Sequence, residues 1–354
     1  MYGYGYQYSA IKGGELSQGE ILAAAYKARV EADGGTYENA NCLINFINGI
    51  YPDLYNDASL IMYPSGIKAA KDYSLKPTNG SGDLTFTRAS TATRVNSSGL
   101  IEAVASNVPR IDYTGGGCGK LLLEPQRTNL FLNSEVVSSW TSQSKTTVAS
   151  NTTNAPDDTL TADTIIEDNT SGLHFRGSSG LGSASTYTFS VFAKPNGRNW
   201  IYVTMYDGTA DRGAYFDIQN GTIGTSDAGV TAIIQSYANG FYKCSITATT
   251  VNSFSATLQL ATANGTRVYL GNNVSGVYAW GAQLELGTYP TSYIPTAGSA
   301  VTRLADAASV TVPSGTLKIT ETFGDDTTNV ITSIPATYTA TVKPIKHVIM
   351  STVL

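Results

Sequence analysis

Charge is scarce in this chain. Only 14% of its 354 residues are Asp, Glu, Lys or Arg, and 27 acids against 22 bases leave a formal net charge of −5. No Lys/Arg cluster offers the phosphate neutralisation that a nucleic-acid grip requires, so no nucleic-acid partner is expected. No run approaches eighteen consecutive apolar residues, so no membrane span is expected. The first ten residues, MYGYGYQYSA, lack the basic start and apolar centre of a signal peptide. Histidine occurs twice, at His174 and His347, and neither sits near a cysteine. A zinc site therefore has almost no ligands to draw on, and neither a metal nor a cofactor is expected. Cys42, Cys118 and Cys244 are far apart and odd in number, which gives no disulfide framework. They read as three buried or half-buried thiols.

Small, turn-forming and β-branched residues take the place of charge. With 35 Gly, 22 Tyr and abundant Ser, Thr and Asn, the composition favours sheet and loop over helix. The expected fold class is mainly β: a jelly-roll sandwich with a small helical N-terminal region and a small C-terminal β-domain. Four pieces follow along the chain, at 1–80, 81–135, 136–304 and 305–354.

Within 1–80, Tyr2, Tyr4, Tyr6 and Tyr8 alternate with small residues, as an edge strand or an extended attachment arm would, with a free tail as the alternative. Ser17 precedes Glu20 by three positions, a capping-box spacing, and strong helix formers run on until Gly34-Gly35. A second helix is expected over 38–48, with Leu43, Ile44 and Ile47 on one face. Two such short helices cannot make a core alone and need the β-body or another protein to pack on.

In 81–135, Asn96-Ser97-Ser98-Gly99 is turn chemistry and predicts a hairpin joining Arg94-Val95 to Leu100-Ile101. Pro109 biases Val108 away from helix, and Leu121-Leu122-Leu123 reads as a buried strand. Glu124 and Arg127 flank Pro125 and could pair with each other, with Arg88 or with Arg110. These charges read as a structural ion-pair network, with a polar ligand site as the alternative.

Over 136–304, short strand patterns recur between turn clusters, the mark of a sandwich. The clearest strands are 186–194, 200–206, 213–218, 240–249, 255–261 and 277–286. In 305–354, alternating runs surround the turn Gly324-Asp325-Asp326, and Val348-Ile349-Met350 is apolar enough to need a partner.

Two patches carry a family resemblance. Residues 86–131 open FTRASTATRVNSSGLIEAVASNVPRIDY and close KLLLEPQRTNLF; residues 280–296 read WGAQLELGTYPTSYIPT, followed by Thr302 and Arg303. In this order and at this distance they resemble a module of tailed-bacteriophage virion proteins, where it precedes a carbohydrate-binding-like sandwich in head fibres, tail fibres and spikes. The resemblance covers roughly residues 80 to 305. It implies a chain located in the virion, with other capsid or tail proteins as partners; exposed strand edges and the Tyr-rich arm add the expectation of a homo-oligomer, with a trimer as the expected state. It does not imply a known ligand.

Strand alternation marks a candidate ligand face. In WIYVTMY, Ile201, Val203 and Met205 fall on one side, and Trp200, Tyr202, Thr204 and Tyr206 on the other. The aliphatic set is the natural core face. Trp200, Tyr202 and Tyr206 would then offer flat surfaces of the kind that stack on sugar rings, with Gln259 and Gln283 joining them as polar contacts to a host-surface polysaccharide. The alternative is that this face is covered by another subunit or by the preceding module. No catalytic residues are expected: carboxylates are sparse in the sandwich, neither histidine has a nearby Ser-Gly elbow, and no β-helix repeat is present, which leaves a glycan depolymerase the least supported reading. A capsid decoration or connector protein without a host ligand stands as the other alternative.

Overall fold

Residues 16–354 are described by a computed structural model; the Tyr-rich arm expected over 1–14 lies outside them. The fold is mainly β and divides into two units, one holding residues 87–307 with 341–343, the other holding the residues up to 86 with 308–340 and 344–354.

The second of these begins with the expected helices. Gln18–Ala32 opens on a capping box: Ser17 Oγ accepts from the Glu20 N–H at 3.2 Å, while the Glu20 carboxylate accepts from the Ser17 N–H at 2.7 Å. The next helix, Ala40–Ile50, starts two residues later than expected, because Asn39 takes a left-handed conformation with φ of 63°. Tyr26, Val30, Leu43 and Ile47 pack with Ile61, Tyr63, Tyr73, Leu75 and Ile349 of the adjoining sheet. Each large side chain so buried contributes about 1.5–3 kcal/mol, which helices this short need in order to persist in water.

The sheet beneath them runs Thr328–Ile331, Lys318–Phe323, Ile345–Ser351, Ala58–Lys68, Lys71–Lys76, Leu84–Thr87, Ala307–Thr311, Thr337–Thr339. Two expectations are corrected here. The 1–80 stretch is not only helical, since Ala58–Lys68 and Lys71–Lys76 are strands. Nor is 305–354 a domain of its own: Ile345–Ser351 lies between Lys318–Phe323 and Ala58–Lys68, with Ile349 opposite Ile61 on one side and Thr320 on the other. The reason is visible in the side chains, because Val348, Ile349 and Met350 are all buried, and a strand apolar on both faces belongs in the middle of a sheet.

The unit of residues 87–307 is a sandwich of two antiparallel sheets. The first runs Ser142–Ser144, Phe175–Leu181, Phe254–Ala261, Trp200–Tyr206, Asp211–Asp217, Thr222–Ser226. The second runs Thr146–Thr153, Ala162–Glu167, Gly276–Leu286, Ser185–Asn196, Tyr242–Thr250, Thr231–Ser236. Between them lies a core that includes Ile201, Val203, Met205, Phe216 and Leu258 of the first sheet and Phe189, Val191, Ile246 and Leu284 of the second. All six of the clearest expected strands are present, each within two residues at either end.

The module expected at 81–135 contributes its hairpin, Ala92–Val95 with Ile101–Val104, to this same unit rather than standing apart. Gly99 has φ of 81°, and Asn96 Oδ1 closes the turn by accepting from the N–H groups of Ser98 and Leu100 at 2.9 and 3.1 Å. Across the hairpin, Arg94 Nε donates to Glu102 Oε1 at 2.7 Å.

Candidate functional site

The charged residues of the two sequence patches meet in one buried seam. Arg88 Nη1 donates to Asp306 Oδ1 at 3.0 Å, Arg110 Nη2 donates to Asp306 Oδ2, and the backbone N–H of Glu124 adds a third bond to that carboxylate at 2.8 Å. The Glu124 carboxylate lies 3.0 Å from Arg110 and 2.7 Å from Arg303, and accepts from the Ser292 N–H and hydroxyl at 2.8 and 2.6 Å. Burial acts to raise the Glu124 pKa, but the two guanidiniums and Ser292 outweigh it and hold the carboxyl down at about 2. Arg88 spends its other donors on the carbonyls of Ser90, Ala105 and Val108. Of the pairings open from sequence, Glu124 takes Arg110; Arg88 goes instead to Asp306, and Arg127 Nε lies 3.6 Å from Glu285. Asp306, missed in the sequence, is the hub. The seam is structural, as expected, and it joins three stretches of chain that sequence places up to 218 positions apart.

The cysteines depart from expectation. Cys42 and Cys118 are not free thiols. Cys244 is a free thiol in the sandwich core, its pKa pushed up by burial. No spacing in the sequence marks either residue, which is why they read as thiols.

The face of the first sheet that points away from the core begins as expected. Ile201, Val203 and Met205 are in the core, and Trp200, Tyr202, Thr204 and Tyr206 point the other way. They do not form a continuous exposed strip. Tyr206 is 46% exposed, Trp200 is half-buried, and Tyr202 is 2% exposed. What covers Tyr202 comes from two loops. Arg267, from the turn that follows Phe254–Ala261, places its guanidinium carbon 4.5 Å from the centre of the Tyr202 ring. It is fixed there by Asp211 Oδ2 at 2.7 Å and Gln259 Oε1 at 3.1 Å. Asp227, after Thr222–Ser226, accepts from the Tyr202 hydroxyl and, at 2.9 Å, from the Gly213 N–H. Tyr215 packs beside Tyr202 with ring centres 4.6 Å apart. Burial, then Asp227, pushes the Tyr202 phenol well above its ordinary pKa.

Trp200 is overlaid at one edge by Gly224, where a Cβ would come within 2.7 Å of the indole and 2.5 Å of Asn264 Oδ1. Only glycine fits so close an approach. Asn264 in turn accepts from the Thr225 N–H at 2.9 Å.

The two glutamines are both corrected. Gln259 does share the Trp200 face, opposite Tyr202, but it is buried and bonded to Arg267 and to Thr257 at 3.3 Å. Gln283 belongs to the other sheet, whose outer face points in the opposite direction. It is fully buried, accepting from the Ile294 N–H at 2.7 Å and donating to Glu285 at 2.9 Å. Sequence alternation places a side chain on a face of its own strand; it does not say which sheet the strand joins. Arg267, Asp211 and Asp227 were missed for a related reason. Each stands in or beside a turn cluster, where a single charge carries no periodicity to read.

No family model and no curated protein matches this chain. Among solved structures it is similar to the CBM22-1–GH10 modules of the N-terminal endo-1,4-β-D-xylanase 10B of Clostridium thermocellum, complexed with xylohexaose, at 12% identity and a TM-score of 0.26. The match covers 49% of this chain and 30% of that one.

Proposed function

We propose that this chain is a structural protein of a tailed-bacteriophage particle, a head- or tail-fibre or spike component. On this reading it is displayed as a homo-oligomer, a trimer, alongside capsid or tail proteins, and the sandwich meets host-surface glycan through the sheet face bearing Trp200 and Tyr206. The observation that carries the reading is the buried seam. The residues that give the sequence its resemblance to virion appendages, Arg88, Arg110, Glu124 and Arg303, converge on one network inside the sandwich unit. In this chain they act together, fastening the 88–124 stretch to the 292–306 stretch.

Particles banded on a density gradient from a lysate of cells producing this chain, examined by mass spectrometry, test the placement. The chain should co-migrate with capsid proteins in a fixed ratio. Its recovery only in the soluble fraction would overturn the reading.

The covering of Tyr202 favours a second reading, a capsid decoration or connector protein without a host ligand. In that case the Trp200 face would meet a neighbouring virion protein rather than a saccharide.

A further inference from the structure

The contact between Arg267 and Tyr202 bears on how the Trp200 face could be used. Tyr202 follows the half-buried Trp200 along this face, with buried Thr204 between it and the exposed Tyr206, so its ring is the one that would extend the Trp200 surface. A guanidinium lying 4.5 Å above an aromatic ring occupies the position a sugar ring would take in stacking. Yet Arg267 is not part of the sheet. It closes a short turn, Thr262 to Thr266, whose residues are all exposed, and its own side chain is 26% exposed. Its partners, Asp211 and Gln259, are hydrogen-bond acceptors at the rim and floor of the same face, and Asp211 is 29% exposed. Both members of the ion pair are partly exposed, so water can take over their contacts when the guanidinium leaves, at the cost of its bond to Gln259 and its contact with the ring. Asp227 holds the Tyr202 hydroxyl, while Tyr215 packs beside the ring and Arg267 lies over it.

We propose that Arg267 is an autoinhibitory cover on the Tyr202 ring, and that a saccharide stacks there only when the Arg267 side chain swings away. The proposal rests on the saccharide reading of this face. With the cover in place, the binding-competent state is a minority and the apparent affinity falls by that fraction. Removing the cover therefore strengthens binding, the opposite of what loss of a ligand-contacting arginine would do.

The test compares the full-length wild-type chain with Arg267→Ala, and with Arg267→Gln, which keeps hydrogen-bonding capacity on the turn without the cation if the alanine variant does not fold. Two quantities are read: nitration of Tyr202 by tetranitromethane, located by peptide mass spectrometry, and binding to immobilised xylan, mannan, β-glucan, alginate and bacterial capsular polysaccharide. The expected result is a several-fold rise in Tyr202 nitration, together with about tenfold tighter binding to a polysaccharide that the wild type holds weakly. Equal or weaker binding by a folded variant, while the wild type binds, overturns the cover and leaves the saccharide reading intact. Unchanged nitration of Tyr202 overturns it as well. Binding by neither protein, with Tyr202 newly reactive, overturns the saccharide reading itself and makes Arg267 a structural cap.

Discussion

Arg88 and Asp306 lie 3.0 Å apart with both side chains fully buried, and the same carboxylate is also held by Arg110 and by the backbone of Glu124. Asp306 thus stands against two guanidiniums where none of the three side chains reaches bulk solvent. A buried pair contributes little over a well-packed apolar substitute, but removing one partner strands the other's charge.

Asp306→Ala should therefore destabilise the unit of residues 87–307 by about 3–5 kcal/mol. Chemical denaturation followed by tryptophan fluorescence measures it. A loss below about 1 kcal/mol would mean that the seam is solvated and the buried account is wrong.

A second buried acid behaves in the opposite way. Asp72, on Lys71–Lys76, is fully buried, and neither of its carboxylate oxygens has a hydrogen-bond partner. Burial, with the nearby Asp83 charge, raises its pKa well above the ordinary aspartate value. The folded state thus keeps a proton that the unfolded chain gives up near pH 4. The stability tied to that proton is fully present below the unfolded pKa and is lost as pH rises towards and through the folded one. Asp72→Asn, which keeps the shape and cannot ionise, should be more stable than the wild type at pH 8 and lose that advantage at pH 4. Denaturation midpoints at the two pH values decide it; an equal difference at both would show that Asp72 is not titrating.

The three aromatic residues of Trp200–Tyr206 should separate by burial. Tyr206→Ala should leave stability within about 0.5 kcal/mol of wild type, because an exposed ring contributes little to the fold. Tyr202→Ala should cost about 3 kcal/mol or more, since it empties a buried ring position and strands Asp227. Thermal unfolding of both variants is the check, and a large loss in the Tyr206 variant would place that ring inside a contact.

Truncation addresses the helices. Removing residues up to 50 strips Tyr26, Val30, Leu43 and Ile47 from the core they share with Ile61, Tyr73, Leu75 and Ile349. The truncated chain should be insoluble or bind a hydrophobic dye, because one face of the sheet is laid bare. A soluble, cooperatively folding product would show that the helices are an appendage rather than part of the core.

Legibility in the sequence followed periodicity. Trp200–Tyr206 was readable to the residue because Ile201, Val203 and Met205 alternate with polar and aromatic neighbours, and Gln18–Ala32 because Ser17 and Glu20 stand in capping register. The outer strands Thr146–Thr153 and Thr222–Ser226 carried no such contrast, since most of their residues are polar or exposed on both faces. The joining of Ile345–Ser351 to Ala58–Lys68 spans nearly the whole chain, and no local pattern encodes a partner that distant. The site suffered most from this limit. Alternation placed Tyr202 on the outer face correctly, but its exposure depends on Arg267 and Asp227, whose approach is set by turns rather than by strand period.

A cryo-electron microscopy map of the intact particle reads both where this chain sits and what its Trp200 face meets. Density for the chain should project from the capsid or tail, with Trp200 and Tyr206 turned to solvent. A particle without this chain, or one in which that face is packed against a neighbouring virion protein, would contradict it.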